Sequence, residues 1–256
     1  MQNNIFITLF VGQSLIKLSE VDSTNSYLKN LLSNSKPLPD GTVIMADHQY
    51  AGRGQSNNEW QTEYGKNLTF SIYLKPNFLR LNHQFNLNKA ISLGINDCLT
   101  IIIGEGCKIK WPNDIYYENQ KLGGVLIENI TSGSNIKASI IGIGLNVNQI
   151  VFDKNLNNVT SISKILQKDY DLTLLLSQLC KYIESRYLQL KANKVAVIDN
   201  DYIQKLYRYN VAHNFEIAGV IEKATIKGIS PIGKLQLDIN QQIAEFDLKE
   251  VKFIFD

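Results

Sequence analysis

Cysteine is scarce in this 256-residue chain. There are three, Cys98, Cys107 and Cys180, odd in number and far apart. No Cys-x-x-Cys pair occurs and the three histidines are scattered. This argues against a zinc site and a disulfide framework, and predicts reduced thiols in a cytoplasmic setting. No apolar run approaches the roughly 18 residues that span a membrane, so no membrane partner is expected. Ile5–Val11 is apolar but has no basic start and no cleavage site, and reads as a strand instead of a signal peptide. An excess of one charge is also missing. Lys and Arg number 26 against 24 Asp and Glu, and a net charge of +2 is too small to imply nucleic acid. Residues 211–256 carry five Lys/Arg against seven Asp/Glu, so the positive excess lies upstream, a mild pointer to an anionic ligand there. Hydrophobic content of 44% and charged content of 20% are those of an ordinary globular chain. The length suffices for a full core in one large or two smaller domains, and no repeat or low-complexity tract interrupts it.

What is present is concentrated in a few short segments. Lys110-Trp111-Pro112-Asn113-Asp114 is followed by Lys121-Leu122-Gly123-Gly124. Two lysines, an amide and a carboxylate thus share one turn-rich stretch between the apolar runs Leu99–Ile103 and Val125–Ile127. Fixed cations beside a carboxylate suit chemistry that builds negative charge on phosphate oxygens. Pro112 fixes its own φ and biases Trp111 toward an extended conformation, which stiffens the turn. The plainer alternative is a solvated hairpin with Glu118-Asn119-Gln120 at its tip. Upstream, Gly52-Arg53-Gly54-Gln55 separates an apolar strand, Thr42–Ala46, from a polar loop that runs to Asn58-Glu59-Trp60. Its exposed backbone N–H groups and planar guanidinium make an anion-binding loop. Asp22-Ser23-Thr24-Asn25 precedes a helix with Leu28, Leu31 and Leu32 on one face, and Ser23 or Thr24 can cap it. Gly142-Ile143-Gly144-Leu145-Asn146-Val147-Asn148 closes the series.

In this order and at these separations, the segments resemble the biotin–protein ligase family (biotin–[acetyl-CoA-carboxylase] ligase), strongly over residues 15–150 and more weakly beyond. The resemblance implies an α+β fold: a mixed β-sheet packed against helices, followed by a small C-terminal SH3-like barrel. It implies ATP and Mg²⁺ as cofactors, biotin as substrate and a biotin carboxyl carrier protein as acceptor. In that chemistry biotin and ATP give biotinyl-5′-AMP, and a carrier lysine then takes the biotin. Carried onto this chain, Lys121, Arg53, Lys110 and Asp114 are the catalytic candidates. Ser23, Thr24, Asn25, Gln49, Arg53, Gly54, Gln55 and Lys121 are the biotin contacts. Gly52, Arg53, Trp60, Lys110, Asn113 and Asn146 are the ATP contacts, and Asp114 with Asn113 are the Mg²⁺ candidates. About 20 residues precede the Ser-Thr-Asn segment, too few for a winged helix, so the ligase-only kind without DNA binding is expected. A monomer or weak homodimer is expected, with the strand near Gly142–Asn148 as a candidate dimer edge.

Many members of that family read Gly-Arg-Gly-Arg-x-Gly where this chain has Gly-Arg-Gly followed by Gln55, Ser56 and Asn57. The loop therefore carries less positive charge. The nearest alternative is a lipoate or octanoate ligase or transferase of the related fold, which lacks the Gly-Arg-Gly loop and the Lys-Trp-Pro-Asn-Asp turn. A non-catalytic biotin-binding module is a third reading, opposed by the intact Lys121, Arg53 and Asp114.

Periodicity supplies the remaining elements. Leu68–Leu74 alternates as a half-buried strand, 85–104 and 172–190 repeat as amphipathic helices, and a shorter helix is expected over 199–209. Ser139–Val147 is β-branched and interrupted by glycine, a strand closely approached by something. From residue 211 five short runs, 215–220, 224–229, 235–239, 243–246 and 251–255, predict a small second domain, 211–256, after a ligase domain over 1–210.

Overall fold

The computed structural model describes residues 6–34, 37–55, 58–156 and 158–255. Seven strands form one mixed sheet: β1 (Leu15–Val21), β2 (Val43–Gln49), β3 (Leu68–Leu74), β4 (Cys107–Lys110), β5 (Asp114–Tyr117), β6 (Gln120–Ser132) and β7 (Asn135–Leu145). Their order is β1-β2-β3-β7-β6-β5-β4. Only β1 and β2 run parallel; the other neighbours are antiparallel. β7 is therefore interior, paired to β3 on one side and β6 on the other. Both rows of its backbone groups are occupied, which removes it as the dimer edge expected from sequence.

Two helices cover one face. In α2 (Phe85–Ile103), Leu87, Ile91, Ile95, Cys98 and Leu99 recur at helical spacing and are buried with Leu175, Leu179, Cys180 and Ile183 of α4 (Leu172–Lys191). Phe70, Ile72 and Leu74 of β3 and Ile141, Ile143 and Leu145 of β7 complete this core. Asp171 starts α4 by accepting the Leu174 N–H at 2.8 Å, an ordinary N-cap. The opposite face carries α1 (Thr24–Asn34), where Leu28 packs with Ile44, Tyr73, Ala138 and Ile140. β3 is consequently buried on both faces and not half-buried, because α1 covers the side on which Thr69, Ser71 and Tyr73 lie.

Residues 6–13 form no strand. The backbone N–H groups of Leu9, Phe10 and Val11 instead donate to the buried Glu184 carboxylate of α4, at 2.7, 2.8 and 2.9 Å. A side chain has taken the role a neighbouring strand would have played.

A second sheet holds β8 (Ala212–Ile217), β9 (Val220–Ile229), β10 (Leu235–Ile239), β11 (Gln242–Phe246) and β12 (Val251–Phe253), in the order β11-β10-β9-β8-β12. All pairs are antiparallel. Among the described residues the end strands β11 and β12 are not paired with each other, so this SH3-like unit is an open sheet and not the closed barrel expected. The run over 215–220 is broken by a tight turn at Ala218 and Gly219, both with positive φ, which starts β9 at Val220. The short helix α5 (Val195–Lys205) begins earlier than the sequence suggested; an even shorter α3 (Ile162–Leu166) precedes α4. α5 ends because Leu206 turns extended and Tyr207 donates its N–H to Ile109 at 2.8 Å. The two sheets meet through stacked Tyr116, Tyr207, Phe253 and Phe255, and through the Trp111 indole N–H, which donates to Gly233 at 2.8 Å. No helix among the described residues is long and apolar enough to cross a membrane.

All three thiols are buried. Burial pushes Cys98 and Cys107 up to about 12 and raises Cys180 as well. Iodoacetamide at neutral pH should therefore label none of them in the native protein and all three in denaturant. Stoichiometric native labelling, read by intact mass, would contradict the packing of α2 on α4.

Candidate active site

The α1-covered face of the large sheet continues into a cavity of about 470 Å³. On β7 the even-numbered side chains share this face. Ala138 and Ile140 pack under α1, whereas Gly142 and Gly144 leave bare backbone. A Cβ on Gly142 would lie 2.5 Å from Asn25 Oδ1, and one on Gly144 would lie 2.4 Å from the Trp60 indole. These are the close approaches that the glycine-interrupted strand implied.

At one end the polar groups interlock. Gln49 Oε1 accepts from the Thr24 N–H at 2.7 Å and from its hydroxyl at 3.0 Å. Ser71 Oγ lies 2.7 Å from Thr24 Oγ1 and donates to Asn25 Oδ1 at 2.6 Å. Asn25 Nδ2 donates to Glu128 Oε2 at 2.8 Å, and the same oxygen accepts from Arg53 Nη2 at 2.8 Å. Ser23 sits before α1 and its carbonyl accepts the Tyr27 N–H. The Thr24 hydroxyl is committed to Gln49 and Ser71, so it does not cap the helix.

Over this end lie residues 50–55 and 58–60. Gly54 donates its N–H to Asn58 at 2.6 Å and Trp60 donates to Gly52 at 2.9 Å, so the segment folds back on itself as a flap. Gly54, Gln55, Asn58, Glu59 and Trp60 line the cavity. Gly52 lies instead on an adjoining opening beneath the flap. Ser56 and Asn57, which carry the departure from the basic loop pattern, lie outside the described residues.

The other end is cationic. The turn between β4 and β5 carries Lys110 and Asp114, which face each other across the register. A bulge in the β5–β6 pairing separates Lys121 from Gly123. Lys121 Nζ lies 2.7 Å from Asp114 Oδ1, and Lys110 Nζ lies 4.0 Å from Asp114 Oδ2. The hairpin and the site are thus the same object. Lys110 also sits 4.5 Å above the Phe253 ring of the second sheet, a cation–π contact. Its pKa is lowered, chiefly by burial, with Asp114 opposing and Lys121 and Arg208 adding to the shift. Leu248, Lys249, Val251 and Lys252 bring the second sheet to the same wall. Leu126 supplies apolar side-chain surface between the two ends, beside the bare backbone of Gly142 and Gly144.

The cavity therefore gathers Ser23, Thr24, Asn25, Gln49, Arg53, Gly54, Gln55, Trp60, Lys110, Asn113, Asp114 and Lys121. It does not gather Asn146. That residue is 3% exposed, donates through Nδ2 to the Thr160 carbonyl at 3.1 Å and takes no part in the wall; its amide holds the end of β7 to the segment before α3. The Arg53 guanidinium, expected to neutralise phosphate, is turned to Glu128. Asn113 spends its amide N–H on the Val125 carbonyl. Trp111 is buried away from the wall, and the Trp111–Pro112 bond is cis. Sequence reading missed Ser71, Glu128, Lys249 and Lys252. Ser71 looked like an outward position in an alternating strand. Lys249 and Lys252 lie more than a hundred residues beyond the motifs, and no local signal marks them.

Among the described residues no three His, Cys, Asp or Glu side chains come together to hold a metal. A Mg²⁺ would fit here only as an ion carried largely by phosphate oxygens, with Asp114 as the one carboxylate at the lysine end among the described residues that line the cavity.

The fold and cavity define a ligand site with a neutral hydrogen-bonding end and an anion-receiving end. The chain belongs to the Biotin/lipoate A/B protein ligase family, whose profile matches residues 18–146. It is 32% identical over 186 residues to the bifunctional ligase/repressor BirA of Bacillus subtilis, covering 70% of this chain and 55% of that protein. It is 32% identical over 132 residues to the biotin–[acetyl-CoA-carboxylase] ligase of Paracoccus denitrificans, covering 51% of this chain and 53% of that one. The chain thus spans about half the length of these curated relatives. Among solved structures it is similar to a biotin protein ligase from Aquifex aeolicus in complex with biotin and ATP, with 27% identity and a TM-score of 0.79 over 95% of this chain and 100% of that one.

Because its pKa is lowered, Lys110 loses its proton, and its charge, at a lower pH than a free lysine near 10.4. Sulfate, which does not titrate in this range, should bind progressively more weakly as pH rises below that value. Lys110→Arg should hold its sulfate affinity to higher pH, since guanidinium stays charged. Superimposable profiles for the two proteins, read by calorimetry, would remove Lys110 from the anion end.

Proposed function

We propose that the protein is a biotin–protein ligase that activates biotin with ATP to biotinyl-5′-AMP and transfers biotin to a lysine of a biotin carboxyl carrier domain of acetyl-CoA carboxylase type. The observation that carries this reading is the division of one cavity into a neutral amide–hydroxyl end and a lysine end, with apolar wall between them. Biotin has the matching division: a neutral ureido bicycle, an apolar tail and a carboxylate.

In the first step a carboxylate oxygen of biotin attacks the α-phosphorus of ATP and the bond to pyrophosphate breaks. Two anions must meet, and the pentavalent centre gathers charge on its oxygens. Lys121 and Lys110, fixed by Asp114, compensate that charge without reorganising. Asp114 would supply an oxygen ligand to Mg²⁺, which would neutralise part of the triphosphate charge. Ser23, Thr24, Asn25 and Gln49 hold the ureido end, with the Gln49 amide polarity set by Thr24. Gly54, Gln55, Asn58 and Trp60 over the cavity limit water, which protects the mixed anhydride from hydrolysis. In the second step a neutral carrier lysine amine attacks the carbonyl carbon, the bond to AMP breaks, and the amine proton is lost to solvent.

Purified chain with Mg²⁺, ATP and biotin should catalyse biotin-dependent ATP–pyrophosphate exchange and should label an apo biotin carboxyl carrier domain. Exchange with lipoate or octanoate but not biotin would replace this reading by the related fatty-acyl one. Lys121→Ala should lower exchange about a hundredfold, the loss expected for one oriented donor at such a centre. Exchange at the unmodified rate would return Lys121 to the status of a hairpin residue.

A further inference from the structure

We propose that Glu128 is a positioning residue that gives the cavity its direction: by neutralising Arg53 and orienting the Asn25 amide, it reserves the polar end for a neutral head group and leaves the lysine end as the only place for a carboxylate. This rests on the biotin reading of the site.

Glu128 lies on the same face of β6 as Gly124 and Leu126, which line the cavity. One of its oxygens, Oε2, receives both the Arg53 guanidinium and the Asn25 amide, each at 2.8 Å. Asn25 Oδ1 is taken by Ser71, so the carboxamide has one stable orientation, N–H toward Glu128. Arg53 is the cation nearest this end, and Glu128 is its only carboxylate partner among the described residues. With that pair intact Arg53 adds no net positive charge to the polar end, where the Glu59 carboxylate also lines the cavity. Asp114 is flanked by Lys110 and Lys121, and Lys249 lines the same wall, while Lys252 is paired with Glu216, so the far end remains net positive.

A ligand that is neutral at one end and anionic at the other then has one favourable orientation. Removing the Glu128 charge would leave Arg53 free beside the amide network. A carboxylate could then bind at either end, and the reversed mode would be unproductive. Specificity of this kind works by rejecting the wrong arrangement as much as by rewarding the right one. Glutamine keeps an acceptor for Asn25 but withdraws the charge that holds Arg53, so Glu128→Gln isolates the effect.

The probe is hexanoate, a carboxylate with no ureido group, titrated calorimetrically into the full chain. Glu128→Gln should bind hexanoate at least tenfold more tightly than the unmodified protein, in competition with biotin. Glu128→Gln combined with Arg53→Gln should return to the original affinity. Equal hexanoate affinity with and without the Glu128 charge would overturn the proposal. So would a double variant that keeps the gain, because the cause would then be a loosened pocket. Arg53→Gln alone does not depend on how the Glu128 variant folds. It strips Glu128 of its counter-charge, so hexanoate affinity should not rise above that of the unmodified protein, and a gain of threefold or more would overturn the proposal. Absence of biotin binding by the unmodified protein would defeat the biotin reading by itself, while the hexanoate comparison would still report on Arg53 and Glu128.

Discussion

Asp114 is what allows the cationic end to exist. Lys110 is partly stripped of water by the second sheet, a cost visible in the direction of its pKa shift. Lys121 approaches from the next strand and adds repulsion. A single carboxylate in contact with one ammonium and 4.0 Å from the other makes the pair tolerable. Its position depends on the tight return from β4 to β5 and on the bulge between β5 and β6. The hairpin's irregularities are therefore functional geometry, placed where the sheet must aim charged groups instead of pairing backbone.

The polar end is organised differently. There, one chain of hydrogen bonds runs from Gln49 through Thr24, Ser71 and Asn25 to Glu128 and Arg53. It begins at the strand end that launches the flap and finishes on the flap itself, so flap and floor share one network. The bare backbone of Gly142 and Gly144 makes room for it. Apart from the glycines, few of these residues contribute packing; most of their side-chain polar groups are spent on one another.

Much of this was legible in the sequence where the signal is local. β3 alternates over its whole length, and α2 and α4 keep helical spacing through four or more turns, so their limits fell within a residue or so of expectation. The motif residues converge because each sits at a strand end or turn with a fixed chemical signature. What escaped is long-range. Residues 6–13 look like a strand until Glu184, far along the chain, claims their N–H groups. Asn146 has the right sequence neighbours but turns inward to Thr160. Glu128 reads as the polar end of an apolar strand, and only the register of β6 on β7 brings it under Arg53. β7 looks like an edge until β3 and β6 are seen on either side.

The family profile ends at residue 146, yet the cavity does not. Leu248, Lys249, Val251 and Lys252 close the lysine end, and Phe253 sits under Lys110. That wall of the cavity is thus encoded separately from the segment that the family profile covers. Proteins matching the same profile can carry different charge on that wall. A change of charge on the second sheet would therefore alter the lysine end of the cavity and leave the network around Thr24 and Asn25 as it is.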